Sequence, residues 1–372
     1  MKNKAKVISI VLFLSVLIIL ISCEKQKAEW KGTIEEVDGV TVVKNPKEPI
    51  YGEDVFSLEE ELSIEEVEGR EEYIFSIIHS IAVDDRERIF VLDIQEANMK
   101  VFDRDGNYIR KIGTKGQGPG EMIRPWSVFI TNQNEIIIHD RAKRRMIYYS
   151  SDGNQIKSVS LSKVFIRSIS LDSKGNFIAD IHIRKPKEQL LELCKFDSDF
   201  NNLRSYVSYP DPWSGQTTIN PFVPYLCWAV DKNDNIIYGY TDKYEFYVLN
   251  PEGNLIRKII RKYTPLKISR DEKKMLIEQP KNIPFKSDIP KYYPPYYQFM
   301  LDDEGRIFVQ TYEQPEVGMG FYYDVFDPEG RYIANIFLKS YPRAWKKGKL
   351  YTIERDEEGY HIVKRYKVTW KY

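Results

Sequence analysis

The sequence is poor in the residues on which most catalytic and metal centres are built. It holds four histidines (His79, His139, His182 and His361) and three cysteines in 372 residues. Three cysteines are too few for a disulfide framework. Charge of one sign is missing too: 55 Lys and Arg balance 55 Asp and Glu. That balance argues against a nucleic-acid footprint, so partners must be recognised by shape and local chemistry. There is no Gly-x-Ser-x-Gly elbow and no complete P-loop, which leaves a serine hydrolase or nucleotide-binding reading without its motif. Long apolar runs are absent except for Val7–Ile21, broken by Ser9 and Ser15. This run is shorter than the ~20 residues of a spanning helix.

The N-terminus is nevertheless organised. Lys2, Lys4 and Lys6 precede the apolar run, and the run ends in Leu20-Ile21-Ser22-Cys23. This order resembles the export signal and lipobox of bacterial lipoproteins, in which the Cys is acylated and becomes the first mature residue. The resemblance implies a signal peptide at 1–22 and lipidation of Cys23, with the remainder held durably at a membrane surface. Residues 23–50 read as the lipidated N-terminus and a polar tether. Within it, Thr41-Val42-Val43 has the composition of a short strand. In an exported chain a Cys194–Cys227 bridge is permitted. Their places in the repeat described next, one in an outer hairpin and one in an opening strand, point instead to two buried free thiols.

The dominant feature of residues 51–372 is a repeated phrase. Val101-Phe-Asp-Arg-Asp-Gly106-Asn-Tyr-Ile109 returns as Tyr148 to Ile156, as Val248 to Ile256 and as Val325 to Ile333, each with Gly at the same place. Two hydrophobic runs around an acidic residue and Gly describe a tight β-hairpin. A third unit keeps the frame but carries Phe200 in place of Gly, which predicts a different outer turn there. A second phrase precedes each hairpin: Ile89 to Asp93, Ile136 to Asp140, Phe177 to Asp180, Ile236 to Gly239, Ile307 to Gln310 and Leu350 to Ile353. These runs do not alternate cleanly, so both of their faces should be buried. Six units of this kind predict an all-β six-bladed propeller.

The last unit ends before an outermost strand. Residues 53–72 carry ten Asp and Glu against one Arg, and Arg343 to Lys371 carries nine Lys and Arg against four Asp and Glu. The segment Leu58 to Val67 therefore suits the place beside the C-terminal strand and would close the ring. Between the first two units lies Gly113-Thr-Lys-Gly116-Gln-Gly118-Pro-Gly120-Glu121. With the hairpin phrase, this loop resembles NHL-type six-bladed propellers, most closely the propeller lipoproteins of Gram-negative gut bacteria. Membership implies an outer-membrane-anchored binding or scaffolding protein, on the periplasmic or the surface side, without a defined reaction.

Two Pro- and Tyr-rich insertions, Tyr206 to Tyr225 and Tyr263 to Tyr297, interrupt the pattern. The second contains Ser269-Arg-Asp-Glu272, a capping box that predicts a helix from Arg270. Aromatic loops at one end of a rigid ring favour recognition, and Arg124, Trp126, Trp213 and Trp228 are the candidate ligand-binding residues. The ligand would be a glycan, a peptide or a protein.

No catalytic residues stand out. Related propellers that bind an axial metal act as lyases or as lactone and ester hydrolases, which makes His79, His139 and His182 the alternative site; their positions in the repeat are not equivalent. No cofactor is expected. The series Asp84, Asp93, Asp140 and Asp180 would either line a calcium-holding channel or satisfy turn amides.

Overall fold

The repeats are made of short runs rich in Val, Ile, Phe and Tyr, bounded by Asp, Asn and Gly, and each run becomes one strand. The computed structural model describes residues 29–372 except 163, 186–187, 215–217 and 279–285. The export signal and Cys23 lie outside the described residues. The chain divides after Trp30, and the strands belong to the unit Lys31–Tyr372. They form a six-bladed propeller. The innermost strands of the blades are Ile78–Val83, Pro125–Ile130, Ile166–Leu171, Leu226–Val230, Gln298–Leu301 and Pro342–Lys346. Within each blade the chain meanders outward, every strand antiparallel to the last.

The sixth blade takes its outer strand from the other end of the chain. Phe56–Ile64 pairs antiparallel with His361–Trp370, with Leu58 opposite Val368 and Ser63 opposite Lys364. Lys364 reaches Glu60 at 2.9 Å and Arg365 reaches Glu61 at 3.2 Å. Such partly exposed pairs contribute little each, ~0.5 kcal/mol, but they favour this register over its neighbours.

The tether reading of residues 23–50 requires correction for its C-terminal half. Thr33–Val37 and Val40–Asn45 are strands joined by Asp38-Gly39, both at positive φ, and the second runs parallel to the outer strand of blade four, Leu255–Arg261. The cause is local chemistry: Asp-Gly between β-branched residues is a two-residue hairpin turn. That hairpin covers an otherwise raw sheet edge. Asn45 locks it by donating to Gly330 O at 2.9 Å and accepting from Tyr332 N at 2.7 Å.

Apolar contacts between neighbouring sheets form the core. Leu92 and Met99 of blade one meet Val128 and Ile138 of blade two, and Phe177 and Cys194 of blade three meet Ile137 and Tyr148 of blade two. Blades four and five meet through rings instead: Phe246 lies 5.2 Å from Tyr296 and 5.1 Å from Phe299. Under that cluster the buried Asp324 accepts from Tyr244, Tyr332 and Asn335 and pairs with Arg261 at 2.9 Å. The capping box also forms, Ser269 and Glu272 exchanging hydrogen bonds at the start of the helix Arg270–Glu278.

The repeated phrase owes its shape to its first Asp, since Asp103 and Asp197 each accept from the backbone N–H two and four residues on. Asp172 and Asp231 do the same in the turns between the first and second strands of blades three and four. Phe200 does not change the turn. It takes φ +64°, the left-handed region held by Gly106 at +84°, and its N–H bonds Asp197 O at 3.1 Å just as Gly106 bonds Asp103 O. The cost of that conformation, ~1–2 kcal/mol, is offset by the ring's contacts with Phe177 at 4.8 Å and Phe196 at 5.1 Å. Replacing Phe200 therefore has an unusual ranking. Phe200→Ala keeps the strained φ and loses the packing, whereas Phe200→Gly loses only the packing. Urea denaturation should find both destabilised, the Gly variant less so by about 1 kcal/mol; the reverse order would remove the strain argument.

Candidate ligand site at the mouth of the channel

Antiparallel order dictates what each face of the ring carries. The start of every inner strand, the turn between second and third strands, and the connection to the next blade share one face. The tight Asp-capped turns occupy the other. Both insertions thus lie on the first face, here called the upper face. Their rings interlock there, with Tyr293 stacked on Tyr312 at 4.6 Å and Phe222 4.9 Å from Tyr293.

The inner strands enclose an axial cavity of about 600 Å3 lined from all six blades. Its walls are mostly apolar, including Ile81, Val128, Val230 and Met300, with Ser80, Ser127 and Ser170 interspersed. Chemistry concentrates at the upper end for a backbone reason. In blades one, two, three and six the register of the inner strand slips by one residue at its start, and the extra residue is His79, Trp126, Arg167 and Arg343 respectively. A bulge leaves its residue unpaired and re-aims its side chain. Four blades therefore place a large polar or aromatic group at one level of the mouth.

These groups touch one another. The rings of His79 and Trp126 are 3.8 Å apart, and His79 Nδ1 donates to Trp126 O at 2.7 Å, which leaves Nε2 as an acceptor. The guanidinium of Arg141 lies 4.8 Å over the indole of Trp126 and that of Arg124 lies 5.6 Å over it. Arg343 lies over Tyr341 at 5.1 Å. Partial burial first, then the charges of Arg343, Arg141 and Arg124, push the His79 imidazole below its ordinary range, although the bond to Trp126 opposes them. Arg167 differs from the others because Asp180 and the carbonyl of Leu226 hold it. Among the described residues Arg124, Arg141 and Arg343 make no ion pair.

The acidic series is occupied with backbone. Asp93 accepts from the N–H groups of Ser76, Ile77, Gln95 and Glu96, and Asp140 from those of Ile123 and Arg124. Asp84 accepts from Arg86 and Arg88, and Asp180 from Ser168 and Arg167. Backbone amides account for Asp93, while Asp84, Asp140 and Asp180 add ion pairs with Arg88, Arg145 and Arg167. Of the other histidines, His182 faces Asp211 at 3.4 Å and His361 accepts from Ile78 N–H at 2.8 Å. Among the described residues no cluster of three His, Cys, Asp or Glu is placed to hold a metal. Cys194 and Cys227 are free and buried, and burial pushes their thiols up to about 11 and about 12. Neither is poised as a nucleophile.

Of the sequence candidates, Arg124 and Trp126 meet at the mouth. Trp213 is exposed near Tyr225 on the upper face, 6.1 Å between rings, but does not line the cavity. Trp228 packs between blades three and four with Leu191, Tyr209 and Leu226, away from the mouth. Its alternation along the strand turns it to the neighbouring sheet. Arg141, Arg343 and the binding-site role of His79 were missed, and for His79 and Arg343 one signal was available: a bulky polar residue second in an otherwise apolar inner strand. The Gly-rich loop holds its own anion, since Glu121 Oε2 accepts from Gly118 N–H at 2.6 Å and fills the space a Cβ on Gly116 would enter.

A model for a domain of unknown function, DUF4934, matches residues 60–322. The chain belongs to the DUF4934 family. No curated protein sequence matches it. Among solved structures, an inferred exported protein of Bacteroides fragilis is similar at 15% identity, covering 89% of this chain and 100% of that one, with a TM-score of 0.58. A DUF4221 family member from Bacteroides vulgatus is similar at 12% identity, 86% and 100% coverage and a TM-score of 0.52. These likenesses show the six-bladed fold of the DUF4934 domain. Among the described residues no helix is long and apolar enough to cross a membrane.

His139 yields a pH test of the DUF4934 domain. It is buried with Nδ1 unbonded, and burial, then Arg141, lower its pKa from 6.5 to about 4. The folded state thus prefers the neutral ring. Its contribution is complete above pH 6.5 and is lost as pH falls toward 4, up to about 3 kcal/mol. In His139→Leu that loss between pH 6.5 and 4 should shrink, read by urea unfolding at each pH; an unchanged pH slope would assign the loss elsewhere.

Proposed function

We propose that this DUF4934 protein is a lipid-anchored, non-catalytic binding protein of the bacterial outer membrane that holds its ligand at the upper mouth of the propeller. The observation that carries the reading is the contrast between the two kinds of charge there. Carboxylates that could bind a metal or move a proton are spent on backbone amides and on Arg88, Arg145 and Arg167, while Arg124, Arg141 and Arg343 make no ion pair among the described residues. Groups that stay unpaired at the opening of a preformed cavity suit recognition better than turnover. The Lys-rich start, the apolar run and Leu20-Ile21-Ser22-Cys23 support export and acylation of Cys23. Phe56–Ile64 then serves as the strand that closes the ring beyond an N-terminal leader.

Two measurements test this reading. The native chain should fractionate with outer membranes and Cys23→Ala should be released from them; retention of the variant would dismiss the lipid anchor. Elemental analysis of the purified protein should find no stoichiometric zinc or iron. A stoichiometric transition metal would overturn the binding reading in favour of a lyase or hydrolase.

A further inference from the structure

Arg343 is the least explained charge in the molecule. It sits at the bulge of blade six's inner strand and lines the axial cavity. Its side chain is exposed to solvent in the lumen, and the protein around it lowers the guanidinium's pKa from its ordinary value. An exposed guanidinium at the opening of a cavity, with no ion pair among the described residues, keeps its N–H edges available to an anionic group. Arg124 and Arg141, over the indole of Trp126 on the upper face, are likewise exposed and make no ion pair among the described residues. Stacking on Trp126 holds their planes and leaves N–H edges free, the arrangement that grips a carboxylate in a fork.

The cavity beneath specifies the rest of the ligand. Ser80, Ser127 and Ser170 offer hydroxyls, and Ala82, Val128 and Val230 offer aliphatic wall. The carboxylates at its lower end are engaged: Asp302 accepts from Glu304 and Arg306, and Asp303 from Gly348 N–H at 2.9 Å. Asp302 is further neutralised by Arg306 at 2.8 Å. A volume of about 600 Å3 is that of a small-molecule site, not of a groove for a folded partner.

We propose that the axial mouth binds an acidic sugar, with its carboxylate on Arg343 and on Arg124 or Arg141 and its hydroxylated ring among the serines below. This inference rests on the binding-protein reading and names its ligand class. The test is calorimetric titration of the full-length protein in detergent with glucuronate, glucose and inorganic phosphate. Glucuronate should bind, with glucose and phosphate each weaker by about tenfold or more. Arg343→Gln should cost about tenfold or more in glucuronate affinity, and Arg343→Lys less. Neither should lower the melting temperature by more than a few degrees, because the native guanidinium makes no ion pair among the described residues and loses only its contact with the Tyr341 ring. Arg141→Gln provides a second variant with the same expectation. Phosphate binding as tightly as glucuronate would reduce the site to an anion hole and overturn the sugar assignment. Glucose binding equal to glucuronate and lost in Trp126→Ala would overturn the acidic class while leaving the binding-protein reading intact. Turnover of a glucuronoside would instead overturn that reading itself.

Discussion

Every sheet of this ring is buried on both faces, and that constraint organises the rest of the molecule. A blade cannot cover its own apolar surface, so its stability is borrowed from two neighbours. Strands in the middle of a blade become continuous apolar runs such as Ile89 to Leu92, buried throughout. Polar groups are pushed to strand ends, where Asp93 and Asp140 serve amides that the sheet leaves unpaired. The N-terminal and C-terminal segments are drawn together by the same requirement, because a three-stranded last blade would leave an edge and a bare face.

The constraint also explains where a binding site can exist. Inner strands have little freedom to carry polar side chains along their length, since alternate residues enter the packed interfaces. Bulges at their first residues relax that restriction without disturbing the interfaces below. His79, Trp126, Arg167 and Arg343 occupy those positions, and the chemistry of the mouth follows from which of them is neutralised. Arg167 has Asp180 and is structural in effect; Arg343 has no such partner and remains available.

Much of the fold was legible from local chemistry. The Asp-x-x-Gly turns, the six apolar second strands and the capping box at Ser269 each act within a few residues, so spacing alone exposes them. Phe200 was misjudged because a ring-packing term, invisible in one dimension, outweighs the preference for Gly. The Asp38-Gly39 hairpin was passed over within a polar context, although its turn chemistry was the common one. At the site, Arg124 and Trp126 were found through residue type, while Trp228 shared that type but not the orientation.

The sequence by itself determined the units: their number, their turns, the charge difference between the two ends and the sparse supply of catalytic side chains. Those properties depend on neighbours in the chain. Tertiary structure alone decided that His79, Trp126 and Arg343 share one opening, and that Arg343 is left unpaired while Arg167 is not. Closure of the ring brings residues from the first and last blades side by side, and one-residue slips in register choose which side chains face the axis. Which of those side chains keeps a counter-charge depends on pairing across strands, and no spacing of a motif records it.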